Sequence, residues 1–245
     1  MSKIGIIGAM DLEVAALKKQ MICENKLTCA GMEFWEGSLN DTSVVIVQSG
    51  IGKVLAGICV QILADQFHVT HVINTGVAGS LNASLDIGDI VVSKDAVYHD
   101  FDVTKLGYAP GQVPGRDMVS FAADPALIAA AVKSCELVNP DIHCVVGRVA
   151  SGDQFISDQS TKERIIRMFD GFCAEMEGCA IAQAATANCI PFVIIRAISD
   201  KADDSAQMDY PTFEKAAAHH SALLVADMVK NMVLVSKRVV RSDQQ

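Results

Sequence analysis

The sequence lacks the features by which membrane-spanning and secreted proteins are recognised. The uncharged stretch at residues 178–195 is interrupted by polar residues and a proline, whereas a membrane-spanning helix needs about 20 consecutive apolar residues. The apolar run at residues 4–10 is followed by Asp11 and Glu13 without a small-residue cleavage site, so it does not resemble a signal peptide. We therefore expect a cytoplasmic protein.

Metal-binding and disulfide patterns are also missing. The eight cysteines are scattered along the chain and include no C-x-x-C pair. Neither a zinc site nor a disulfide framework is indicated by such spacing. Reduced thiols in the core of a cytoplasmic protein fit this distribution.

Positive charge is in deficit. The chain has 20 Lys and Arg against 29 Asp and Glu, which gives a net charge of −9. This balance argues against a surface that binds nucleic acid or an anionic membrane, because both need clustered cations. A small-molecule substrate is the better expectation.

Linker composition is absent as well. No Gly/Ser/Pro-rich stretch or charge run divides the 245 residues, a length that suits one large α/β domain. The hydrophobic fraction of 51% fits a sheet whose strands are buried on both faces. We assign residues 1–235 to this domain and residues 236–245 to a C-terminal tail.

Apolar strands and helices alternate along the chain. Apolar runs predict strands, and 3.6-residue spacing predicts helices. The strands are expected at residues 3–10, 34–39, 43–47, 69–74, 89–93, 145–150 and 191–198, and the helices at 11–20, 54–67, 125–137, 160–169, 179–187 and 211–233. Residues 98–115 are expected to form a long loop or flap. This order predicts a mostly parallel sheet with helices on both faces.

Carboxylates lie at the ends of several predicted strands. Asp11 and Glu13 follow the first strand, Glu175 and Glu177 precede a helix, and Asp200 ends the last strand. Ligands bind beyond the carboxyl ends of strands in such sheets, so these side chains are expected to face one crevice. The His-rich spacing of a metal site and the pattern of a nucleophilic triad are both missing.

Each of these features also has a purely structural interpretation. The acids near helix starts could complement the helix dipole, and Asp200 could cap a turn. The segment 76–80 could serve only a tight turn, and Phe155 could be a core aromatic rather than a platform for a base. His99 and His219 have no acid or Cys partner in an obvious motif, which favours structural roles for both.

Six short motifs, taken together, are more specific than any single residue. They are Gly8-Ala9-Met10 with Glu13, Ser49-Gly50-Ile51-Gly52-Lys53, Asn74-Thr75-Gly76-Val77-Ala78-Gly79, Ser151-Gly152-Asp153-Gln154-Phe155, Ala174-Glu175-Met176-Glu177 and Arg196-Ala197-Ile198-Ser199-Asp200. In this order they resemble the 5′-methylthioadenosine/S-adenosylhomocysteine nucleosidases of the purine nucleoside phosphorylase superfamily. The resemblance covers about residues 3–229.

The resemblance implies an α/β fold with a central mixed, mostly parallel twisted sheet or distorted barrel flanked by helices. It also implies a homodimer and a site that needs no metal or organic cofactor. The implied activity is hydrolysis of the N-glycosidic bond of 5′-methylthioadenosine and S-adenosylhomocysteine to adenine and a 5-thioribose product, as part of methionine salvage. 5′-Deoxyadenosine and aminodeoxyfutalosine are further candidate substrates.

The resemblance assigns roles to residues of this chain. Asp200 would protonate adenine N7 with Ser199 orienting it, and Glu13 would activate the attacking water. Glu177 would bind the ribose hydroxyls with help from Met176. The remaining implied binding residues are Phe155, which stacks on adenine, Ile156, whose backbone reads the base edge, Met10, Ile51 and Phe213 at the thioalkyl end, and Glu175, Val77 and Gly79.

Two positions depart from the family pattern, and two other functions stay open. Val77 stands where relatives often carry Ser, and Leu106 stands in the flap where relatives sometimes carry an aromatic residue. A phosphorylase on the same fold would need cations for phosphate, but this chain has Asp11, Glu13 and Asn74 where resembling phosphorylases have arginines. A nucleoside-binding sensor without turnover is the other alternative, and the retained carboxylates argue against it.

Apolar surface supports the expected homodimer. Residues 54–64 and the flap at 98–115 offer more hydrophobic surface than one sheet needs to bury. Packing within a single core is the alternative explanation for the same residues.

Overall fold

The computed structural model describes residues 2–242, with side chains described as far as residue 232. Strands and helices alternate within these residues. The strands are β1 (Lys3–Gly8), β2 (Ile22–Cys29), β3 (Met32–Leu39), β4 (Thr42–Gln48), β5 (His71–Ser80), β6 (Ile90–Tyr98), β7 (Ser120–Ala122), β8 (Cys144–Ser151), β9 (Cys173–Glu175) and β10 (Phe192–Asp200). The helices are α1 (Asp11–Gln20), α2 (Lys53–Phe67), α3 (Pro125–Val138), α4 (Gln159–Phe169), α5 (Gly178–Ala187) and α6 (Ala206–Ser242).

The sheet closes on itself as a distorted barrel. Strand pairs lead from β5 to β10, β6, β8 and β9, and β9 pairs back with β5. Strands β1, β4, β3 and β2 extend the sheet from the other edge of β5. The longest ladders, β5 with β10 and β6 with β8, are parallel, while others are antiparallel. The predicted mixed sheet or distorted barrel flanked by helices is confirmed.

The central strands are buried on both faces. Every residue of β10 is buried, including the charged Arg196 and Asp200. One face of the sheet packs against α2 and α5, and the other packs against α1, α3 and α6. Burying a large apolar side chain stabilises a fold by about 1.5–3 kcal/mol, so burial on both faces stabilises the central strands.

The glycine-rich segment was expected to follow a strand, but it is itself part of one. Strand β5 runs from His71 to Ser80 rather than ending at Asn74. Its extra residues pair with β10, and Gly79 and Ser80 also pair with β9, so their backbone groups are satisfied by the sheet. The interpretation of residues 76–80 as a tight turn is therefore wrong.

Two strands have no apolar pattern in the sequence. Strand β2 is exposed along nearly its whole length, so it shows no alternation of apolar and polar residues. Strand β7 has only three residues, which pair with β6. Both depend on pairing with a neighbouring strand rather than on their own composition.

Helix α6 begins five residues before the position expected from Pro211. Asp203 accepts hydrogen bonds from the N–H and the hydroxyl of Ser205, and the Ser205 carbonyl accepts the N–H groups of Met208 and Asp209. This arrangement starts the helix at Ala206 and places Pro211 within it. The predicted domain boundary at residue 235 lies in a segment whose side chains are outside the described set. Residues 243–245 of the predicted tail are outside the described residues altogether.

In the described part of the chain, no helix has the length and apolar character to cross a membrane. All eight cysteines are free thiols, and Cys59, Cys135, Cys173 and Cys179 are buried. The buried thiols therefore pack as small hydrophobic side chains of the core.

Candidate active site

A cavity of about 340 Å³ lies where β5, β9 and β10 end, beside the first turn of α1. Helices and loops that follow the strands complete its wall. The predicted site residues that border it are Met10, Glu13, Ile51, Val77, Gly79, Phe155, Ile156, Glu175, Met176, Glu177, Ser199 and Asp200. The fold thus brings together side chains that are far apart in sequence. His99 and His219 do not border the cavity.

Phe213 is the one predicted site residue that does not border the cavity. Tyr210, one helical turn earlier in α6, borders it instead. The Tyr210 hydroxyl donates a hydrogen bond to Sδ of Met10 at 3.2 Å, and its ring meets the ring of Phe155 edge to face with centroids 5.6 Å apart. A helix beginning at Pro211 would leave Tyr210 outside it, so the sequence pattern does not predict this residue.

Glu13 is held over the end of β1 by three backbone donors. Its Oε2 accepts the N–H groups of Ala9 at 2.6 Å and Met10 at 2.9 Å, and its Oε1 accepts the N–H of Val77 at 3.1 Å. Burial raises the pKa of Glu13 above its usual range, although the charge of Arg196 and these N–H groups oppose the shift. Glu13 therefore accepts backbone N–H groups at the start of α1, where the structural interpretation placed an acid that complements the helix dipole, and it borders the cavity as well.

Two glycines of β5 leave room for the carboxylates. A Cβ at Gly76 would collide with the Glu13 carboxylate, and a Cβ at Gly79 would lie 2.7 Å from Oδ1 of Asp200. Real Cβ atoms essentially never approach another heavy atom within 3.0 Å. These glycines are therefore required for the close approach of two acids to the strand.

Arg196 is a buried cation that the strand-end pattern does not predict. Its guanidinium forms an ion pair with Glu175 and donates to Oδ1 of Asn74 at 2.6 Å. Glu175 also accepts from the hydroxyl of Ser151 and from the N–H of Gly178 at 2.7 Å. Glu175 is thus bonded to protein groups on several sides. An arginine inside an apolar strand is the available sequence signal, because fully buried charges are almost always paired.

Glu177 lies at the N-cap position of α5, directly after Met176. Its Oε1 accepts the N–H of Gly52 at 2.8 Å, which ties α5 to the loop before α2. Burial, together with the charge of Glu175, raises the pKa of Glu177 to about 7, against the opposing charge of Arg196. The carboxylate is therefore poised to gain stability from a nearby positive charge.

Asp200 ends β10 at an irregularity in its pairing with β5. Its Oδ2 accepts the hydroxyl of Ser199 at 2.9 Å, and its Oδ1 accepts the N–H of Ala202 at 2.8 Å. Burial raises the pKa of Asp200, and the charges of Asp203 and Asp209 raise it further, although the two hydrogen bonds oppose this. A carboxyl group with a raised pKa is suited to donate a proton.

Phe155 is not a core aromatic. Its side chain is 49% exposed, whereas the neighbouring Ile156 is buried. The ring stands at the cavity wall, in a T-shaped contact with the ring of Tyr210. An exposed ring held in this way offers a flat surface for an aromatic base.

The cavity is acidic. Glu13, Glu175, Glu177 and Asp200 border it, and no Lys, Arg or His side chain does so among the described residues. The same residues contain no group of His, Cys, Asp or Glu arranged to hold a metal ion. This set of side chains can protonate a leaving group, stabilise developing positive charge and accept a proton from water.

Comparison with known proteins agrees with this geometry. A model of the phosphorylase superfamily matches residues 3–230. A 5′-methylthioadenosine/S-adenosylhomocysteine nucleosidase of Geobacillus sp. (strain WCH70) is 42% identical over 231 residues, which is 94% of this chain and 99% of that protein.

Solved structures are similar over the same length. A 5′-methylthioadenosine/S-adenosylhomocysteine nucleosidase from Colwellia psychrerythraea 34H, in complex with adenine, matches with a TM-score of 0.90 at 42% identity, covering 93% of this chain and 94% of that one. The futalosine hydrolase of Helicobacter pylori strain 26695 matches with a TM-score of 0.89 at 30% identity, covering 94% and 98%. The chain therefore belongs to the phosphorylase superfamily and, within it, to the family of 5′-methylthioadenosine/S-adenosylhomocysteine nucleosidases.

Proposed function

We propose that this protein hydrolyses the N-glycosidic bond of 5′-methylthioadenosine and S-adenosylhomocysteine, releasing adenine and the corresponding 5-thioribose product. One observation carries the proposal: a buried, Ser199-supported Asp200 shares an acidic cavity with Glu13 and Glu177. The similarity to relatives named 5′-methylthioadenosine/S-adenosylhomocysteine nucleosidases supports the choice of substrates. The products place the reaction in methionine salvage and in the recycling of S-adenosylmethionine products.

Asp200 supplies the proton for the leaving group. Adenine leaves poorly unless N7 is protonated, and the raised pKa of Asp200 keeps a proton available on the carboxyl group. Ser199 holds one carboxyl oxygen in place. As the proton moves to N7, the C1′–N9 bond breaks and its electron pair goes to adenine. The ribose that remains is oxocarbenium-like.

Glu177 and Glu13 act on the ribose side. Glu177, next to Met176, accepts hydrogen bonds from the ribose hydroxyls. Its charge also stabilises the positive charge that develops on the ribose in the transition state and that the intact substrate lacks. Glu13 takes a proton from the water that attacks C1′. Arg196 forms an ion pair with Glu175 and so fixes the end of β9 beside these carboxylates. This division follows the logic of two-carboxylate glycosidases.

The remaining lining residues bind the two ends of the nucleoside. Phe155 stacks on adenine and the backbone of Ile156 reads its edge, while Gly79 leaves space beside Asp200. Met10 and Ile51 line the thioalkyl end, with Tyr210 in the place first expected for Phe213. Val77 contributes its N–H to Glu13, so a hydroxyl at this position is not needed to hold that carboxylate.

Water, rather than phosphate, suits this cavity as the nucleophile. Phosphate binding needs cations or a cluster of free N–H donors. The lysine and arginine side chains of the described residues lie outside the lining, and Arg196 is paired with Glu175. An acidic wall repels phosphate but not water.

Substrate preference is tested by one comparison. Adenine release is measured from 5′-methylthioadenosine, S-adenosylhomocysteine, 5′-deoxyadenosine and aminodeoxyfutalosine at equal concentration. We expect the first two to have the highest kcat/KM, because Met10, Ile51 and Tyr210 present a largely apolar wall that suits the 5′-thioether shared by these two substrates. A higher kcat/KM for aminodeoxyfutalosine would assign the main activity to that substrate instead. Dialysis against EDTA is expected to leave the rate unchanged.

We also propose a homodimer in the cytoplasm. Ile51, Val54, Leu55 and Ile58 form an exposed apolar face around the start of α2, and Ile51 also borders the cavity. Leu106 of the flap is exposed and does not border the cavity of its own chain. A second copy on this face would cover these side chains. Light scattering at micromolar concentration, with Val54→Asp as the disrupting variant, tests the dimer.

A further inference from the structure

An ion cluster outside the cavity lining joins three separate segments of the chain. We call Lys53, Asp100 and Asp153 the Lys53 cluster. Nζ of Lys53 lies 2.6 Å from Oδ2 of Asp100 and 3.4 Å from Oδ2 of Asp153. The side chains of Lys53 and Asp100 are only 23% and 16% exposed, so water screens this pair less than it screens a surface pair.

Backbone donors make the Lys53 cluster stiffer than an ordinary ion pair. The N–H of Lys53 donates to Oδ1 of Asp153 at 2.9 Å, and the N–H of Asp153 donates to Oδ2 of Asp100 at 2.9 Å. These bonds fix main-chain atoms and not only flexible side-chain ends. The positions of the two loops are therefore coupled through Asp100 and Asp153.

Two members of the Lys53 cluster, Lys53 and Asp153, lie within two residues of the cavity wall. Ile51 is two residues before Lys53, and Phe155 is two residues after Asp153. Gly52, directly before Lys53, donates its N–H to Glu177 at 2.8 Å. The cluster thus connects the loop at the 5′ side, the loop at the base side and the ribose carboxylate.

Asp100 is the member of the Lys53 cluster whose ionised form is stabilised by its neighbours. Burial by itself raises the pKa of Asp100, but the hydrogen bond from Lys53, the N–H of Asp153 and the charge of Lys53 outweigh it, so that the pKa is lowered. Asp100 therefore remains ionised at any pH at which a cytoplasmic enzyme works.

We propose that the Lys53 cluster is a positioning element that sets the distance between the 5′-side loop at residues 49–52 and the base-side loop at residues 154–156. Lys53 and Asp100 then govern the affinity for the adenine part of a nucleoside without bordering the cavity themselves. This inference rests on the proposed function, because it assigns the 154–156 loop to the base.

The position of Phe155 explains why affinity rather than turnover should depend on the cluster. Phe155 stands at the end of an exposed loop, and half of its side chain faces solvent. Stacking holds adenine in the ground state and in the transition state alike, and the loss of such uniform binding raises KM with little change in kcat. Asp200 and Glu13 are fixed by other bonds, and the backbone of Glu177 is held by the first turn of α5 and by Glu175. The chemical step is therefore expected to continue.

The test compares Lys53→Met and Asp100→Asn with the matched control Lys3→Met. Lys3 forms an ion pair with Glu36 at the same 2.6 Å distance and with similar exposure, 28% and 26%, but neither residue borders the cavity. We measure kcat and KM for 5′-methylthioadenosine, Kd for adenine by calorimetry, and Tm.

For both cluster variants we expect KM and the adenine Kd to rise about tenfold, with kcat within about threefold of the wild type. Lys53→Arg, which keeps the charge and the donors, should restore both constants, and Lys3→Met should leave them unchanged. If Lys53→Met does not fold, Asp153→Asn replaces it, because that side chain is 51% exposed. Wild-type KM and Kd in the folded cluster variants, with or without a lower Tm, would overturn the positioning role.

Different outcomes overturn the proposed hydrolysis and the positioning role of the Lys53 cluster. A wild-type protein that binds adenine but releases none from any nucleoside overturns the proposed hydrolysis, and the adenine Kd of the variants still decides the positioning role. A wild-type protein that neither cleaves nucleosides nor binds adenine overturns both. An active wild type with unchanged variants overturns only the role of the Lys53 cluster.

Discussion

The two ends of the cavity hold carboxylates in opposite electrostatic settings. At the base end, Asp200 is buried, and the charges of Asp203 and Asp209 add to the rise in its pKa. At the ribose end, Arg196 lies among Glu13, Glu175 and Glu177 and opposes the rise in the pKa of Glu13 and Glu177. The pKa of all three carboxyl groups is raised, and at the ribose end the charge of Arg196 favours the ionised forms of Glu13 and Glu177 against that shift.

Replacing the acid should have the largest effect on turnover. We expect Asp200→Asn to lower kcat by about 10³-fold, within the range of general acid catalysis. The amide oxygen can still accept the N–H of Ala202 and the amide NH2 can donate to the Ser199 hydroxyl, which keeps the fold. Stopped assays of adenine release and a thermal melt measure the two effects. Asp204→Asn, at an exposed position nearby, serves as the control and should retain the wild-type kcat.

Removing the cation at the ribose end should destabilise the protein. Arg196→Met leaves Glu175 buried without its partner, and breaking a buried ion pair in this way costs about 3–5 kcal/mol. The free energy of unfolding in urea measures the loss. Arg196→Met with Glu175→Gln should recover part of it, because the uncompensated charge is then gone. Equal stability of Arg196→Met and the wild type would contradict the compensating role of Arg196.

Replacing the proposed base distinguishes the two ends by a smaller effect. Glu13→Gln keeps the size of the side chain, and we expect kcat to fall about 10²-fold. The matched control is Asp11→Asn in the same helical turn, whose carboxylate is largely exposed. Near-normal turnover in Glu13→Gln would remove this residue from the mechanism.

The pH profile should separate the acid from the base. Glu13 must be ionised, so kcat/KM is expected to fall as the pH drops through its raised pKa. Asp200 must be protonated, so kcat/KM is expected to fall again as the pH rises through its raised pKa. The rate measured from pH 4 to pH 10 should therefore be bell-shaped. An alkaline limb that is unchanged in Asp200→Asn would assign the proton to another group.

The smallest effect is expected at the 5′ end. Tyr210→Phe removes only the hydroxyl that donates to Met10, so kcat/KM for 5′-methylthioadenosine should change by no more than about fivefold, since a net hydrogen bond contributes about 1 kcal/mol. Phe213→Ala, outside the lining, should change it less still. A larger effect of Phe213→Ala would restore the original prediction for that residue.

The strand-end acids could be predicted from the sequence because they follow recognisable buried strands. Glu13, Glu177 and Asp200 each stand directly beyond a strand or at a helix start, and parallel strands bring such positions to one edge. The extension of β5 through Gly76 and Gly79 could not be predicted in the same way. It depends on pairing with β9 and β10, which are distant in sequence.

Residues whose roles depend on tertiary contacts also could not be predicted from local sequence patterns. Tyr210 enters the cavity only because Asp203 and Ser205 start α6 early. In the Lys53 cluster, Lys53 and Asp100 are 47 positions apart along the chain, and Asp100 and Asp153 are 53 positions apart. The sequence around each member therefore gives no indication of its partner. Local patterns locate strands and caps, whereas these contacts are fixed by the packing of whole elements.

Adenine release from 5′-methylthioadenosine in phosphate-free buffer decides between hydrolysis and phosphorolysis. We expect rapid release by the wild type with water as the nucleophile, no acceleration when phosphate is added, and a loss of about three orders of magnitude in Asp200→Asn. Release that occurs only with phosphate, or that persists at the wild-type rate in Asp200→Asn, would contradict this mechanism.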